Sequence, residues 1–139
     1  MVTISIYGEK KEVPQGTTFE QIAEDYQEKY DGLIAVAAAN GKIRELFKKV
    51  TKDCQVEFFT LRDDVGHKTY VRTATMLLLK AVYDVFGADA AQECRVEFAI
   101  GHGYYINPIG RIPSTEENAE RIRARMKELV CAKVPFRKR

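Results

Sequence analysis

The sequence predicts an α+β protein of 139 residues arranged as two small units. Three observations carry that reading. Short runs rich in β-branched residues alternate with other types, the period of a half-buried strand, and they cluster in two separate parts of the chain. Apolar residues recur at spacings of three and four in three longer stretches, the period of an amphipathic helix. Turn and cap residues fall between these segments, among them Asn40-Gly41, the strongest short hairpin signal.

In the first unit, residues 2–7 (VTISIY) alternate, and KKEVP follows Gly8, which predicts a hairpin of two short strands. Thr17 and Glu20 have capping-box spacing at the head of TTFEQIAEDYQEKY. Phe19, Ile22, Ala23, Tyr26 and Tyr30 then mark one helix face. LIAVAAANGKIREL reads as two strands around Asn40-Gly41, and CQVEFFTL as another. The order β-β-α-β-β-β makes a small sheet wrapped on one helix.

The second unit begins near Asp64. Val71, Thr75, Leu78, Val82 and Phe86 form a stripe over Thr69–Phe86, and Met76, Leu77, Leu79 and Ala81 widen it. That pattern predicts a helix buried on most sides, stopped by Gly87. CRVEFAI and GYYINP read as strands joined around Gly101-His102-Gly103. Pro113-Ser114 opens the last helix, with Ser114 and Glu117 as a capping box and Ala119, Ile122, Met126 and Leu129 as its buried stripe.

Composition bounds the class. Apolar residues make up 45% of the chain and charged residues 30%, the balance of a soluble globular protein. No stretch approaches a membrane span of roughly 18 apolar residues. The start, MVTISIYGEKKEV, lacks the order of a signal peptide. Cys54, Cys94 and Cys131 are odd in number and have no CxxC spacing, which fits reduced thiols in a cytoplasmic protein. The net charge of +2 is carried by the tail: Lys133, Arg137, Lys138 and Arg139 stand in AKVPFRKR without a counter-charge, and without them the net charge is −2. Residues 132–139 are therefore read as a basic linker or truncated end.

The runs "VTISIYGEKKEVPQGTTFEQIAEDY", "LIAVAAANGKIREL" and "VEFFTL" resemble a TGS domain, the β-grasp (ubiquitin-like) module of threonyl-tRNA synthetases, some GTPases and stringent-response synthetases. The pieces "DDVGHKTYVRTATMLLLKAVYDVFG", "CRVEFAIG" and "GYYI" resemble the start of the editing-type domain that follows TGS in threonyl-tRNA synthetases. The resemblance implies a β-grasp domain over 1–62 and a small α+β segment over 63–131.

That second domain carries a His-x-x-x-His pair at its helix start and a later Cys-x-x-x-His. Histidines one turn apart share a helix face, as chelation or shared proton transfer requires. Here His67 is followed four residues later by Val71, and Cys131 by Pro135. His67 is accordingly read as the remnant of a degenerate site, a helix-start residue satisfied by nearby backbone. No catalytic residue, metal ligand or cofactor is expected in this chain.

A degenerate pattern of this kind also resembles the N-terminal region of bacterial uridine kinase-like nucleoside kinases of the phosphoribulokinase type, and "VPFRKR" resembles the connection to their P-loop domain. The preferred reading is a non-catalytic regulatory or ligand-binding region of such a kinase. Its partner would be a C-terminal kinase domain that transfers the ATP γ-phosphoryl group to a nucleoside 5′-hydroxyl. The chain itself lacks the phosphate loop: VAAANGKI has Gly41 and Lys42 but neither the first glycine nor the metal-binding Ser/Thr.

What remains is binding, with a nucleotide or RNA as the candidate ligand and neither DNA nor a membrane expected. Lys42, Arg44, Lys48, Lys49 and Lys52 place five positive charges in eleven residues against Glu45 alone. Solvated edge protection is the favoured reading of this set. Contact with RNA phosphates is the alternative, and it goes with an RNA- or tRNA-associated module related to the synthetases. Phe47, Phe58 and Phe59 are expected in the core, and Tyr104 and Tyr105 in strand packing rather than a ligand cleft. A third class, an editing-type hydrolase, requires His67→Ala to abolish deacylation, and its missing partner residues argue against it.

Overall fold

A computed structural model describes residues 1–107 and 112–136. They form two compact units, Met1–Arg72 and Thr73–Arg139. The first contains β1 (Val2–Ile6), β2 (Glu9–Val13), α1 (Phe19–Tyr26), a single 3-10 turn (Gln27–Lys29), β3 (Ile34–Ala39), β4 (Lys42–Arg44) and β5 (Cys54–Thr60). Helix α2 (Asp64–Phe86) begins in this unit and ends in the second.

The five strands form a mixed sheet in the order β2-β1-β5-β3-β4. The central β1 and β5 run parallel, with Ile4 opposite Cys54, and the other neighbours are antiparallel. Alternation turns Val2, Ile4 and Ile6 inward from β1, and Val56 and Phe58 from β5. They meet Phe19, Ile22, Ala23 and Tyr26, the buried stripe of α1. A mixed sheet packed on one helix in this order is the α+β, β-grasp architecture.

The α1 cap lies one residue beyond its expected place. Thr18 is the N-cap: its hydroxyl accepts from the Gln21 N–H at 3.2 Å, and its own N–H donates to Gln21 Oε1 at 3.0 Å. The Thr17 hydroxyl instead donates to the Pro14 carbonyl. The helix also ends at Tyr26, four residues short of Tyr30. The Gln27 side chain accounts for this, since it donates to the Gly32 carbonyl and accepts from the Ile34 N–H, folding the chain into β3. Tyr30 still reaches the core, edge-on to Phe58 at 6.1 Å.

At the far end of β5 a tight joint starts α2. Thr60, the buried polar residue of the first unit, donates its N–H to Asp63 Oδ2 at 2.7 Å, and its hydroxyl donates to the same oxygen. The Asp63 carbonyl accepts from the His67 N–H at 2.8 Å. The helix therefore begins at Asp64, five residues before Thr69. The joint fixes it there, whereas the apolar stripe starts only at Val71.

The second unit holds the end of α2, then α3 (Ala88–Glu93), the antiparallel hairpin of β6 (Arg95–Ile100) and β7 (Gly103–Asn107), and α4 (Glu116–Cys131). Gly87 ends α2 with a φ of 94°, a conformation that favours glycine. Among the described residues the core of this unit comprises Val82, Ala90, Cys94 and Ile112, with Leu78, Leu79, Phe86, Ala91 and Ile122 packed against them. Helix α2 is not buried on most sides, contrary to expectation. Only Gly66, Ala81 and Val82 of that helix are buried, and Met76 is 55% exposed. The α4 cap is Thr115 rather than Ser114: its hydroxyl accepts from the Asn118 N–H, and Asn118 Nδ2 donates to the Pro113 carbonyl. Leu129 is buried and Ile122 and Met126 half-buried, but Ala119 is exposed.

Asp84 ties α4 to α2. Its carboxylate pairs with Lys80 one turn earlier and with Arg125 at 2.9 Å, and its side chain is 15% exposed. Lys80, with Arg125 adding to it, holds this carboxyl below the usual aspartate range against the opposing effect of burial. A depressed carboxylate contributes stability that is present above its unfolded pKa of about 3.9 and lost as pH falls through the lower folded value. Asp84→Asn is expected to lower Tm at neutral pH, with the difference from the native chain shrinking below about pH 4. Thermal unfolding followed by circular dichroism across pH checks this, and a pH-independent difference would refute it.

Among the described residues no helix is long and apolar enough to cross a membrane. All three cysteines are free: Cys54 half-buried, Cys94 buried and Cys131 exposed. Burial pushes the Cys94 thiol up, and at Cys54 burial acts with Asp53 in the same direction against Lys52.

Candidate nucleic-acid interface

The Asn40-Gly41 turn sets the first wall of the site. Asn40 and Gly41 have φ of 50° and 76°, both left-handed, as a two-residue hairpin of this twist requires. Asn40 is tied to β5 as well, its N–H donating to the Gln55 carbonyl and its Oδ1 accepting from the Gln55 N–H. The turn delivers β4 as the edge strand of the sheet, with Lys42 opposite Ala39 and Arg44 opposite Ala37. Two residues apart on a strand, Lys42 and Arg44 share a face.

The other wall is the connection from β4 to β5, and α1 holds it. The N–H groups of Phe19 and Glu20, unpaired within the helix by their position, donate to the carbonyls of Lys48 and Leu46 at 3.0 and 2.8 Å. Val50 donates its N–H to the Thr17 carbonyl, accepts from the Gly16 N–H and, at 2% exposure, anchors the segment in the core beside half-buried Leu46. The connection thus satisfies the helix N-terminus with its backbone and keeps its lysines for the surface.

The result is a cleft of about 270 Å³ lined by Lys42, Arg44, Lys48, Lys49 and Lys52, the whole cationic set singled out in the sequence. Phe19, Ala39 and Val50 supply its apolar lining, and Asn40, Thr51 and Cys54 its neutral polar groups. None of the five cations has an ion-pair partner among the described residues. The nearby carboxylate of Asp53 accepts from the Thr3 N–H at 2.7 Å.

The remaining candidates lie elsewhere. His67 occupies the first turn of α2 with its side chain exposed, and His102 lies exposed at the β6–β7 turn. Among the described residues no group of three or more His, Cys, Asp or Glu side chains is placed to hold a metal ion. The VAAANGKI stretch is the β3–β4 hairpin, with no helix after it to receive a phosphate. Tyr104 and Tyr105 are both exposed, and Tyr105 stacks on Phe98 at 5.1 Å. Lys133 is exposed, while Arg137, Lys138 and Arg139 lie outside the described residues.

The aromatics beside the cleft divide. Phe58 is buried and Phe59 half-buried, as expected, but Phe47 is 47% exposed, with the Lys48 ammonium 5.4 Å from its ring centre. Sequence reasoning placed Phe47 inside because it is large and apolar. Leu46 and Val50 fill the inward positions instead.

No protein-family model matches the chain. Curated relatives include the threonine–tRNA ligase of Caldanaerobacter subterraneus subsp. tengcongensis, 30% identical over 88% of this chain and 19% of the relative. Those of Maricaulis maris and Clostridium kluyveri are each 29% identical, over 93% and 94% of the chain and 20% of the relative. The chain spans about a fifth of the length of these relatives. Nothing in the comparisons supports a link to a uridine kinase. The chain is homologous, at about 30% identity, to the TGS-containing N-terminal region of threonine–tRNA ligases.

Proposed function

We propose that the first unit is an RNA-binding, tRNA-linked module that seats the phosphate backbone in its cationic cleft. The observation that carries this reading is the convergence of five cations without ion-pair partners among the described residues. Edge protection explains charges on an edge strand. It accounts for Lys42 and Arg44 on β4, but not for Lys48, Lys49 and Lys52, which lie off that strand and line the same cleft. Homology to ligases that act on tRNA adds to the case. The narrower reading, a regulatory region ahead of a nucleoside kinase domain, has no comparison behind it.

Titration of the chain with labelled tRNA at 50 and 200 mM salt tests the proposal. Counterion release gives a log–log slope of about −0.7 to −0.9 per neutralised phosphate, so five contacts predict a loss of roughly 100- to 500-fold between those salts. Binding that is absent at both salts, or insensitive to salt, refutes it and leaves the lysines as edge protection.

A further inference from the structure

We infer that the cleft takes single-stranded RNA, with one base stacked on Phe47 and the adjoining phosphates held by the lysines; this rests on the RNA reading above. The Phe47 ring stands outside the core. The carbonyls of Leu46 and Lys48, on either side of Phe47, are both committed to N–H groups of α1. Leu46 and Val50 occupy the inward positions. Phe47 cannot turn inward without breaking one of these bonds, so the fold presents the ring outward.

The ring is also joined to the cleft. Lys48 lines the cleft and keeps its ammonium 5.4 Å from the ring centre. One side chain thus serves both the aromatic surface and the anionic site. Cations that follow a backbone beside a ring that receives a base are how single-stranded nucleic acid is bound. In a duplex the bases are already stacked on one another, and an exposed phenylalanine gains nothing from them. The lysines alone do not distinguish the two forms. Phe47 does.

The test uses the full chain with a short labelled oligoribonucleotide, single-stranded or annealed to its complement. Phe47→Ala is expected to weaken single-strand binding roughly tenfold while leaving the salt slope and any duplex binding unchanged. Phe47→Trp is expected to restore affinity, and because the chain has no other tryptophan its fluorescence reports the ring directly. Quenching by the single strand but not by the duplex supports stacking. Equal affinity for both forms, unchanged binding by Phe47→Ala, or an unquenched tryptophan in a complex that still forms overturns the inference and leaves backbone binding standing. If neither form binds at low salt, the RNA reading itself falls.

Discussion

Gly66→Ala is expected to destabilise the first unit by about 3 kcal/mol or more, the upper end of what overpacking a well-packed site costs. Two effects compete at this position. Replacing a helical glycine with alanine ordinarily gains up to about 1 kcal/mol in helix propensity. Here, however, a Cβ on Gly66 would lie 1.8 Å from the Thr60 carbonyl oxygen and 2.6 Å from its carbon. Both atoms are backbone, and the same carbonyl accepts from the Asp63 N–H at 3.1 Å, so neither can swing aside as a flexible side chain would. The clash wins. For a unit of this size the loss corresponds to a fall in Tm of roughly 12–24 °C. Lys68→Ala, on an exposed position two residues further along the same helix, should move Tm by no more than a few degrees. Thermal unfolding of both variants checks the prediction. A Gly66→Ala protein within a few degrees of the native one would show that α2 can leave the end of β5 without loss.

Gly66 also shows where sequence reading ends. A glycine inside a helical pattern signals either tolerated weakness or close approach, and nothing adjacent to it says which. The hairpins were legible because their turns favour particular residues: Gly8 and Gly41 both adopt positive φ, and Asn40 tolerates it beside Gly41. The helix starts were legible only to within a residue. Thr17-Thr18 and Ser114-Thr115 each offer two neighbouring hydroxyls, and the pattern admits either. The choice fell to Gln21 for α1 and to Asn118 for α4, rather than to the glutamates the pattern favours. Helix α3 gave no signal, since its six residues carry no apolar period. The five cations were visible as a run, but their convergence was not. It depends on long-range bonds between the 46–50 segment and the head of α1, which local periodicity does not encode.

Those bonds make the charge-reversal experiment decisive for the cleft. Lys42→Glu, Lys48→Glu and Lys49→Glu combined should cut RNA affinity about 1,000-fold at 50 mM salt, since counterion release makes each phosphate contact worth about tenfold there. At 200 mM each contact is worth about three- to fourfold, and the deficit should shrink to roughly 50-fold. A shrinking deficit distinguishes lost phosphate contacts from a broken fold, which would cost affinity at every salt. Lys48 is positioned by its backbone, its N–H donating to the Glu45 carbonyl and its carbonyl accepting from the Phe19 N–H, and Lys42 and Lys49 lie on the surface, so the substitutions leave the packing of Leu46 and Val50 intact. Circular dichroism should confirm this. Lys10→Glu, Lys68→Glu and Lys127→Glu combined change the net charge equally at exposed positions outside the cleft. If that control weakens binding as much, long-range attraction to the whole chain is responsible and the cleft is not the site. If it retains most of the affinity while the cleft triple loses it, the phosphates sit where β4 and the following connection bring the five cations together.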